Sequence, residues 1–284
     1  MRKLLLIFSV FMMMSGLSLA QDDELTPYEI ASKWIEKAER THAFELNLMF
    51  LELDTIPSEI GKLNNLVFLE ASVNALTDLP PEIGQLSNLY NLDLYYNKIS
   101  ILPSEIGQLS ELQKLNLASN QLTQLPPELG QLAKLHKLWV GINQLTDIPS
   151  EIGQLSNLYT LSLNKNQLVS LPSEIGQLEN LCQLDISNNK LESLPSELGQ
   201  LTKLADDGCY LKLDGNPLIS PPPEVIAQGT PAVLDYLRNQ AWWHLQRLIL
   251  SGATGLGLLA VLMLGIRWRT GRNRRKAKRK NDVT

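Results

Sequence analysis

The chain has 284 residues, 44% of them hydrophobic, which is enough for one or two domains with a sizeable core. Nine basic residues and one acidic residue follow Ile266, and two basic residues begin the chain, so residues 21–266 carry a net charge of −15 within a total of −5. The charge is therefore distributed unevenly along the chain. This distribution predicts separate environments for the acidic body, residues 21–266, and the basic tail, residues 267–284.

The first 20 residues predict a secretory signal peptide that is cleaved after Ala20. Two basic residues precede an apolar run over residues 4–14, and Ser18 and Ala20 are small residues of the kind found at cleavage sites. An uncleaved anchor is the alternative, although the apolar run is short for a full membrane span.

Residues 21–43 predict a capping helix. The sequence Thr26-Pro27-Tyr28-Glu29 has capping-box spacing, with proline at the first helical position. The apolar stripe that follows, formed by Ile30, Trp34, Ile35 and Ala38, can seal the end of a hydrophobic stack.

Residues 44–220 are built from a repeat of 23 residues. The segment LPPEIGQLSNLYNLDLYYNKISI begins at Leu79, and related segments begin at Ile56, Leu102, Leu125, Ile148, Leu171 and Leu194. The last repeat has four extra residues around 205–208. Each repeat contains the pattern LxxLxLxxNxL, for example Leu89, Leu92, Leu94, Asn97 and Ile99. This pattern resembles the leucine-rich repeat, in its bacterial and SHOC-2-like form.

The spacing of the repeat has a physical basis. Leu92 and Leu94 alternate along a short strand and point into a core, and the recurring asparagine can satisfy backbone groups buried between coils. The recurring proline ends the strand, the glycine of EIGQL permits a tight bend, and the glutamate faces solvent or caps the local turn. One repeat cannot bury its leucines alone, so the coils must stack. The prediction is an α/β solenoid, and the resemblance implies a horseshoe with a concave parallel β-sheet.

Residues 221–244 predict a C-terminal cap and juxtamembrane segment. A helix beginning at Thr230-Pro231 presents Val233, Leu234 and Leu237 to the last coil. The run PPPEVIAQGTPAVLDYL resembles the capping segment of bacterial leucine-rich-repeat and Roco-type proteins. No GTPase follows, so no nucleotide function is implied.

Residues 245–266 predict one transmembrane helix. The 19 residues from Leu248 to Ile266 carry no charge, and a helix of that length spans roughly 28 Å. The basic tail, residues 267–284, should stay cytoplasmic, which leaves the repeats outside. The spacings Ser251-x3-Gly255 and Ala253-x3-Gly257 permit a weak homodimer through this helix.

The resemblance implies that a protein or peptide partner docks on the concave face. Trp139 stands out there because it replaces a small or polar residue. The candidate partner-binding residues are Phe68, Tyr90, Asp93, Tyr95, Tyr96, Asn116, His136, Trp139, Tyr159 and Asp185. Clustered exposed aromatic residues are typical of interface hot spots, although scattered surface aromatic residues are also ordinary.

Cys182 and Cys209 form a candidate disulfide. Each precedes the first core leucine of its strand by two positions, so they should be neighbours about 4.8 Å apart on adjacent strands. Two unrelated thiols are the alternative.

The sequence lacks the motifs of an enzyme. The histidines His42, His136 and His244 lie far apart, and no HExxH, CxxC, GxSxG, phosphate-loop or dinucleotide motif occurs. We expect no catalytic residues, no metal and no cofactor, although a catalytic group assembled across repeats is left open.

These features together predict a single-pass envelope protein that displays a non-enzymatic interaction module. The absence of Asn-x-Ser/Thr sequons and of cysteine-rich caps favours a bacterial envelope. The repeats are also similar to intracellular adaptors of the Ras-suppressor and SHOC-2 type, so a cytosolic-facing signalling adaptor is one alternative, and an envelope structural or adhesive element is another. No nucleic-acid partner is expected, since a basic tail beside an apolar helix favours contact with anionic lipids.

Overall fold

The computed structural model describes residues 25–251 of the chain, and the side chains of residues 25–240. One helix precedes the repeats, α1 (Pro27–Arg40), and two follow them, α2 (Pro223–Ile226) and α3 (Thr230–Ser251). The strands are β1 (Glu45–Asn47), β2 (Phe68–Glu70), β3 (Asn91–Asp93), β4 (Lys114–Asn116), β5 (Lys137–Trp139), β6 (Thr160–Ser162), β7 (Gln183–Asp185) and β8 (Tyr210–Lys212).

The eight strands form one parallel sheet in chain order, β1 to β8. Residues 23 positions apart are register partners, as in Leu69↔Leu92, because each repeat adds one strand to the sheet. On the other side of each coil is a 3₁₀ turn, and these turns span Ser58–Lys62, Pro81–Gln85, Ser104–Gln108, Pro127–Gln131, Ser150–Gln154, Ser173–Gln177 and Ser196–Gln200. An eighth turn, Thr202–Ala205, begins the enlarged last repeat. The predicted stack of coils is confirmed.

The leucines and isoleucines of all repeats form one continuous core. The middle residue of each central strand, for example Leu92 or Leu115, is fully buried, and the buried set extends from Ala31 in α1 to Leu237 in α3. Each coil therefore buries the apolar face of its neighbour, as stacking requires.

The recurring asparagine of each repeat joins consecutive coils, and we call this set the asparagine column. Its members are Asn74, Asn97, Asn120, Asn143, Asn166, Asn189 and Asn216. Asn97 illustrates the pattern: its Oδ1 accepts the Leu76 N–H at 3.1 Å, and its Nδ2 donates to the backbone oxygens of Ala71 and Leu94 at 3.0 and 3.1 Å. Asn120, Asn143, Asn166 and Asn189 repeat this arrangement. The predicted role of this column, satisfying backbone groups between coils, is confirmed.

The repeat glycine is required by the close approach of the next coil. A Cβ on Gly84 would lie 2.6 Å from the backbone oxygen of Glu105, and one on Gly153 would lie 2.5 Å from that of Glu174. Neither glycine has a positive φ. The predicted tight bend is present as a 3₁₀ turn, but the close approach of the next coil, and not the backbone conformation, requires the glycine. The Cβ of the glutamate in that next coil packs over it.

Two helices cap the stack. In α1 the Thr26 hydroxyl accepts the Glu29 N–H, and the Glu29 carboxylate accepts the Thr26 N–H at 2.8 Å, so the predicted capping box is present. Hydrogen bonds that Thr26 donates to this carboxylate, from its backbone N–H and from its hydroxyl, lower the pKa of Glu29. At the other end the Arg238 guanidinium of α3 donates to the backbone oxygen of Gly199 at 2.9 Å, and α3 covers this glycine as the next coil would.

Several predicted segments lie outside the described residues. They are the signal peptide 1–20, most of the membrane span 245–266, the tail 267–284 and, except for Ser251, the small residues of the proposed homodimer. Helix α3 continues to Ser251 and so includes the first residues of the predicted span. Within residues 25–251 we find no helix long and apolar enough to cross a membrane.

Candidate interaction surface

The candidate site is the solvent side of the sheet, which we call the open sheet face. It consists of the first and third residues of each strand, because the middle residue points into the core. The first residues are Glu45, Phe68, Asn91, Lys114, Lys137, Thr160, Gln183 and Tyr210, and the third residues are Asn47, Glu70, Asp93, Asn116, Trp139, Ser162, Asp185 and Lys212.

Five side chains form a continuous strip across β2 to β5, which we call the aromatic–lysine row. The rings of Phe68 and Tyr90 lie 5.8 Å apart between centroids. The ammonium of Lys114 lies 5.4 Å from the Tyr90 ring centroid, and that of Lys137 lies 5.9 Å from the Trp139 ring centroid. Lys114 and Lys137 are register partners on neighbouring strands, so the two cation–ring pairs adjoin. The strip therefore combines an apolar end with a cationic middle.

Trp139 lacks a local hydrogen bond that four of the eight third strand residues make. At Asn47, Asp93, Asn116 and Asp185, a side-chain oxygen accepts the backbone N–H two residues further on, at 2.9–3.2 Å. An indole has no acceptor, so Trp139 cannot make this bond. Its half-buried ring contacts Lys137 and makes no such hydrogen bond, and we regard it as the strongest candidate for contact with a partner.

Three of the four acidic groups of the face, Glu70, Asp93 and Asp185, accept hydrogen bonds within the protein. Asp93 accepts a hydrogen bond from Asn116 Nδ2 at 3.1 Å, and Asp185 accepts one from the Ser187 hydroxyl at 2.6 Å. Glu70 accepts from the Ser72 hydroxyl at 2.8 Å. Burial is the main cause that raises the pKa of Glu70, and the hydrogen bonds from Ser72 oppose it.

The predicted aromatic residues do not form one cluster around Trp139. Tyr90, His136 and Tyr159 lie at the edge where the strands begin, whereas Tyr95 and Tyr96 lie beyond their ends, with ring centroids 6.0 Å from each other. Tyr95 follows Tyr90 by five positions, which is roughly 16 Å along an extended chain. His136 is exposed, and its Nδ1 lies 2.8 Å from the backbone oxygen of Lys134.

Cys182 and Cys209 form a disulfide in the structure, with Cα atoms 4.7 Å apart. They stand just before the paired strands β7 and β8, where the register Gln183↔Tyr210 makes them lateral neighbours. The Tyr159 hydroxyl lies 3.0 Å from Cys182 Sγ and is the donor, since a bonded sulfur carries no hydrogen. Tyr159 is therefore tied to the disulfide rather than to Trp139.

Lys114 and Lys137 fall on this face in the sequence register, but they were not among the predicted site residues. The signal that could have found them is their position 23 residues apart, which makes them adjacent, together with the absence of any acidic residue at 116 or 139. Within residues 25–240 no group of histidine, cysteine and acidic side chains is arranged to hold a metal ion.

The chain is similar to known leucine-rich-repeat proteins in both sequence and fold. The pattern of the leucine-rich repeat region matches residues 44–138 and 91–167, and a second leucine-rich-repeat pattern matches residues 156–218. A leucine-rich-repeat protein of Leptospira interrogans is 40% identical with a TM-score of 0.61, over 69% of this chain and 47% of that chain. No curated protein matches.

A second solved structure is the leucine-rich-repeat ectodomain of the plant membrane receptor kinase GASSHO1/SCHENGEN3 from Arabidopsis thaliana, in complex with Casparian strip integrity factor 2. It is 33% identical with a TM-score of 0.50, over 62% of this chain and 24% of that chain. The chain thus spans less than half the length of either structure.

Proposed function

Because this chain belongs to the leucine-rich-repeat proteins, we propose that it is a non-enzymatic interaction module that binds a protein or peptide partner on the open sheet face. Stacked repeats create extended surfaces that are suited to such binding. The observation that carries the proposal is Trp139, a large aromatic side chain that replaces a hydrogen-bonding residue in the middle of the sheet. The plant ectodomain, which was solved with a bound partner, supports it by similarity.

The partner should contact the middle repeats through a small number of side chains. Aromatic residues at the centre of a surface dominate binding energies more often than peripheral ones. Phe68 is 39% exposed and stands three strands from Trp139, so one extended segment can reach both. The proposal includes His136, Tyr95 and Tyr96 as further contacts with the partner. His136 lies at the edge of the sheet where the strands begin, and the two tyrosines lie at the opposite edge.

Photo-crosslinking in intact cells tests the binding surface. A photoreactive phenylalanine replaces Phe68 or Trp139, and the control replaces Tyr28, an aromatic residue of similar exposure (42%) on α1. Discrete adducts from positions 68 and 139, but not 28, support the proposal. Adducts from position 28 alone would place the partner elsewhere and refute it.

The variant Trp139→Asn separates loss of binding from loss of folding. Asparagine stands at the preceding strand position, Asn116, where it makes the local hydrogen bond that tryptophan cannot make. We expect the free energy of unfolding to stay within about 1 kcal/mol of the wild type, because a restored hydrogen bond of ~1 kcal/mol offsets the lost ring contacts. Partner crosslinking from position 68 should fall at least tenfold.

We further propose that the repeats are displayed outside the cytoplasm from a single membrane helix over residues 245–266. The support is the uncharged stretch from Leu248 to Ile266, followed by nine basic residues. Protease treatment of spheroplasts that carry a tag after Thr284 tests it. Digestion of the repeats with survival of a tagged tail fragment supports display, whereas repeats that resist until the membrane is opened contradict it and favour the adaptor hypothesis.

A further inference from the structure

The two lysines of the aromatic–lysine row lack a counter-charge. Lys114 and Lys137 are half-buried register partners on strands that lie about 4.8 Å apart. Over residues 25–240 neither lysine forms an ion pair with a carboxylate, and their ammonium groups lie against the rings of Tyr90 and Trp139. Adjacent like charges across strands are unfavourable, so the placement of the two lysines side by side does not itself stabilise the fold.

Four of the five other charged groups of the open sheet face have partners within the protein. Lys212 lies 3.6 Å from the Asp185 carboxylate, and the Asp93 and Glu70 carboxylates accept the hydrogen bonds described above. The ammonium groups of Lys114 and Lys137, in contrast, form no ion pair with a carboxylate of residues 25–240. Each has three N–H groups, and a ring occupies only one side of the ammonium.

The rings also hold the two ammonium groups in place before a ligand arrives. Contact with Tyr90 and Trp139 restricts side chains that otherwise have many rotamers, which reduces the entropy lost on binding. Two restrained donors on adjacent strands suit a carboxylate, whose two oxygens accept several hydrogen bonds.

An apolar surface adjoins the lysines on the side of β1. Phe68 and Tyr90 are in contact, and Phe44, just before β1, is 66% exposed. The distance between the centre of the Phe68–Tyr90 pair and the centre of the lysine pair is two strand spacings, roughly 10 Å. An extended peptide covers this distance in about three residues, at ~3.3 Å per residue.

We propose that the partner segment is an extended peptide that places a carboxylate between Lys114 and Lys137 and, about three residues away, an apolar side chain on Phe68 and Tyr90. This inference deepens the proposed function and rests on it. A polyanion such as nucleic acid fits less well, because Glu70 and Asp93 lie on the same strands as the apolar surface and residues 21–266 carry a net charge of −15.

Selection from a randomised dodecapeptide library against the purified full chain tests the inference. Enriched peptides should carry aspartate or glutamate about three residues from leucine or phenylalanine. In fluorescence anisotropy, changing that acid to its amide should weaken binding about tenfold.

Variants of the two lysines then test the contact itself. The double variant Lys114→Gln/Lys137→Gln should remove the preference for the acidic peptide over its amide, and Lys114→Glu/Lys137→Glu should favour a lysine-containing analogue. The matched control, Lys98→Gln, alters an exposed lysine away from the open sheet face and should change nothing. Equal urea midpoints for all variants exclude unfolding as the cause.

The outcomes separate the inference from the function on which it rests. Peptides that bind and are lost with Trp139→Asn, but show no acidic preference, overturn the inference alone. Failure to enrich any peptide overturns both. Binding of a twelve-nucleotide single-stranded DNA that depends on both lysines, without enrichment of acidic peptides, overturns the inference in favour of nucleic acid.

Discussion

Replacement of Asn143 by alanine removes an amide that joins two coils of the solenoid. Its Oδ1 accepts the Leu122 N–H at 2.9 Å, and its Nδ2 donates to the backbone oxygens of Leu117 and Val140, both at 3.0 Å. Asn143 is buried, so water cannot replace these bonds without entering the core. The variant must therefore leave backbone groups without partners.

The loss of stability in Asn143→Ala depends on which of the backbone groups bonded to Asn143 keeps a second hydrogen-bond partner. The Leu117 oxygen also accepts from Asn120, and the Val140 oxygen also accepts from Asn166. Only the Leu122 N–H is left unsatisfied, at a cost of ~2 kcal/mol, and each weakened carbonyl adds ~0.5 kcal/mol. We expect Asn143→Ala to lower the free energy of unfolding by about 3 kcal/mol.

Urea unfolding of the full chain, followed by far-ultraviolet circular dichroism, measures this loss. The matched control is Asn157→Ala, which removes one exposed hydrogen bond, from Nδ2 to the backbone oxygen of Ala133 at 2.8 Å. The control should cost less than about 1 kcal/mol, because water replaces an exposed bond. Equal losses in the two variants would refute the role of the buried column.

The shared carbonyl also predicts how two such changes combine. In Asn120→Ala/Asn143→Ala the Leu117 oxygen loses both donors, so the double variant should be about 1 kcal/mol less stable than the sum of the single variants. Asn97 and Asn143 share no carbonyl, and their effects should add. Additivity in both pairs would contradict the hydrogen-bond network.

Three further changes test other parts of the fold by urea unfolding. Gly130→Ala places a Cβ 2.5 Å from a backbone oxygen of the next coil and should lower the free energy of unfolding by about 3 kcal/mol. The control, Ser150→Ala on an exposed turn, should lower it by less than about 0.5 kcal/mol. Similar losses in the two variants would refute close stacking. Because burial raises the folded-state pKa of Glu70, folding favours its protonated form, and the wild type loses stability as pH rises from the unfolded pKa through the folded pKa. Glu70→Gln should therefore gain stability relative to the wild type between pH 4 and pH 7, and a constant difference would contradict this. Ile142 has φ 59° and is 47% exposed, so Ile142→Asn should raise the free energy of unfolding by about 1 kcal/mol through relief of backbone strain. A decrease would show that the isoleucine side chain contributes more stability than the strain costs.

The sequence predicted the fold well because its information is periodic and local. A constant repeat length makes residue n the lateral neighbour of residue n + 23, so the repeat alone determines the sheet order and the register. The capping box at Thr26 and Glu29 depends on four consecutive residues and was equally accessible. The same register placed Cys182 beside Cys209 once the longer last repeat was taken into account.

The candidate site was harder to predict because it depends on the directions of side chains at the ends of strands. Tyr90 and Tyr95 belong to one repeat, but they lie on opposite edges of the sheet. Tyr96 has φ 57°, a left-handed conformation that the residue type does not predict. The contacts of Lys114 and Lys137 with rings likewise depend on rotamers that the repeat pattern leaves free.

Two features of the open sheet face that stacking does not require, the Trp139 ring and the lysine pair, lie on neighbouring strands. The asparagine and glycine columns are filled by the demands of stacking, so a substitution there costs stability. Trp139 lacks a local hydrogen bond, and Lys114 and Lys137 are adjacent cations that form no ion pair with the carboxylates of residues 25–240. Sequences generally tolerate such losses where function requires them. A partner that covers the ring and neutralises the lysines would recover both losses at once.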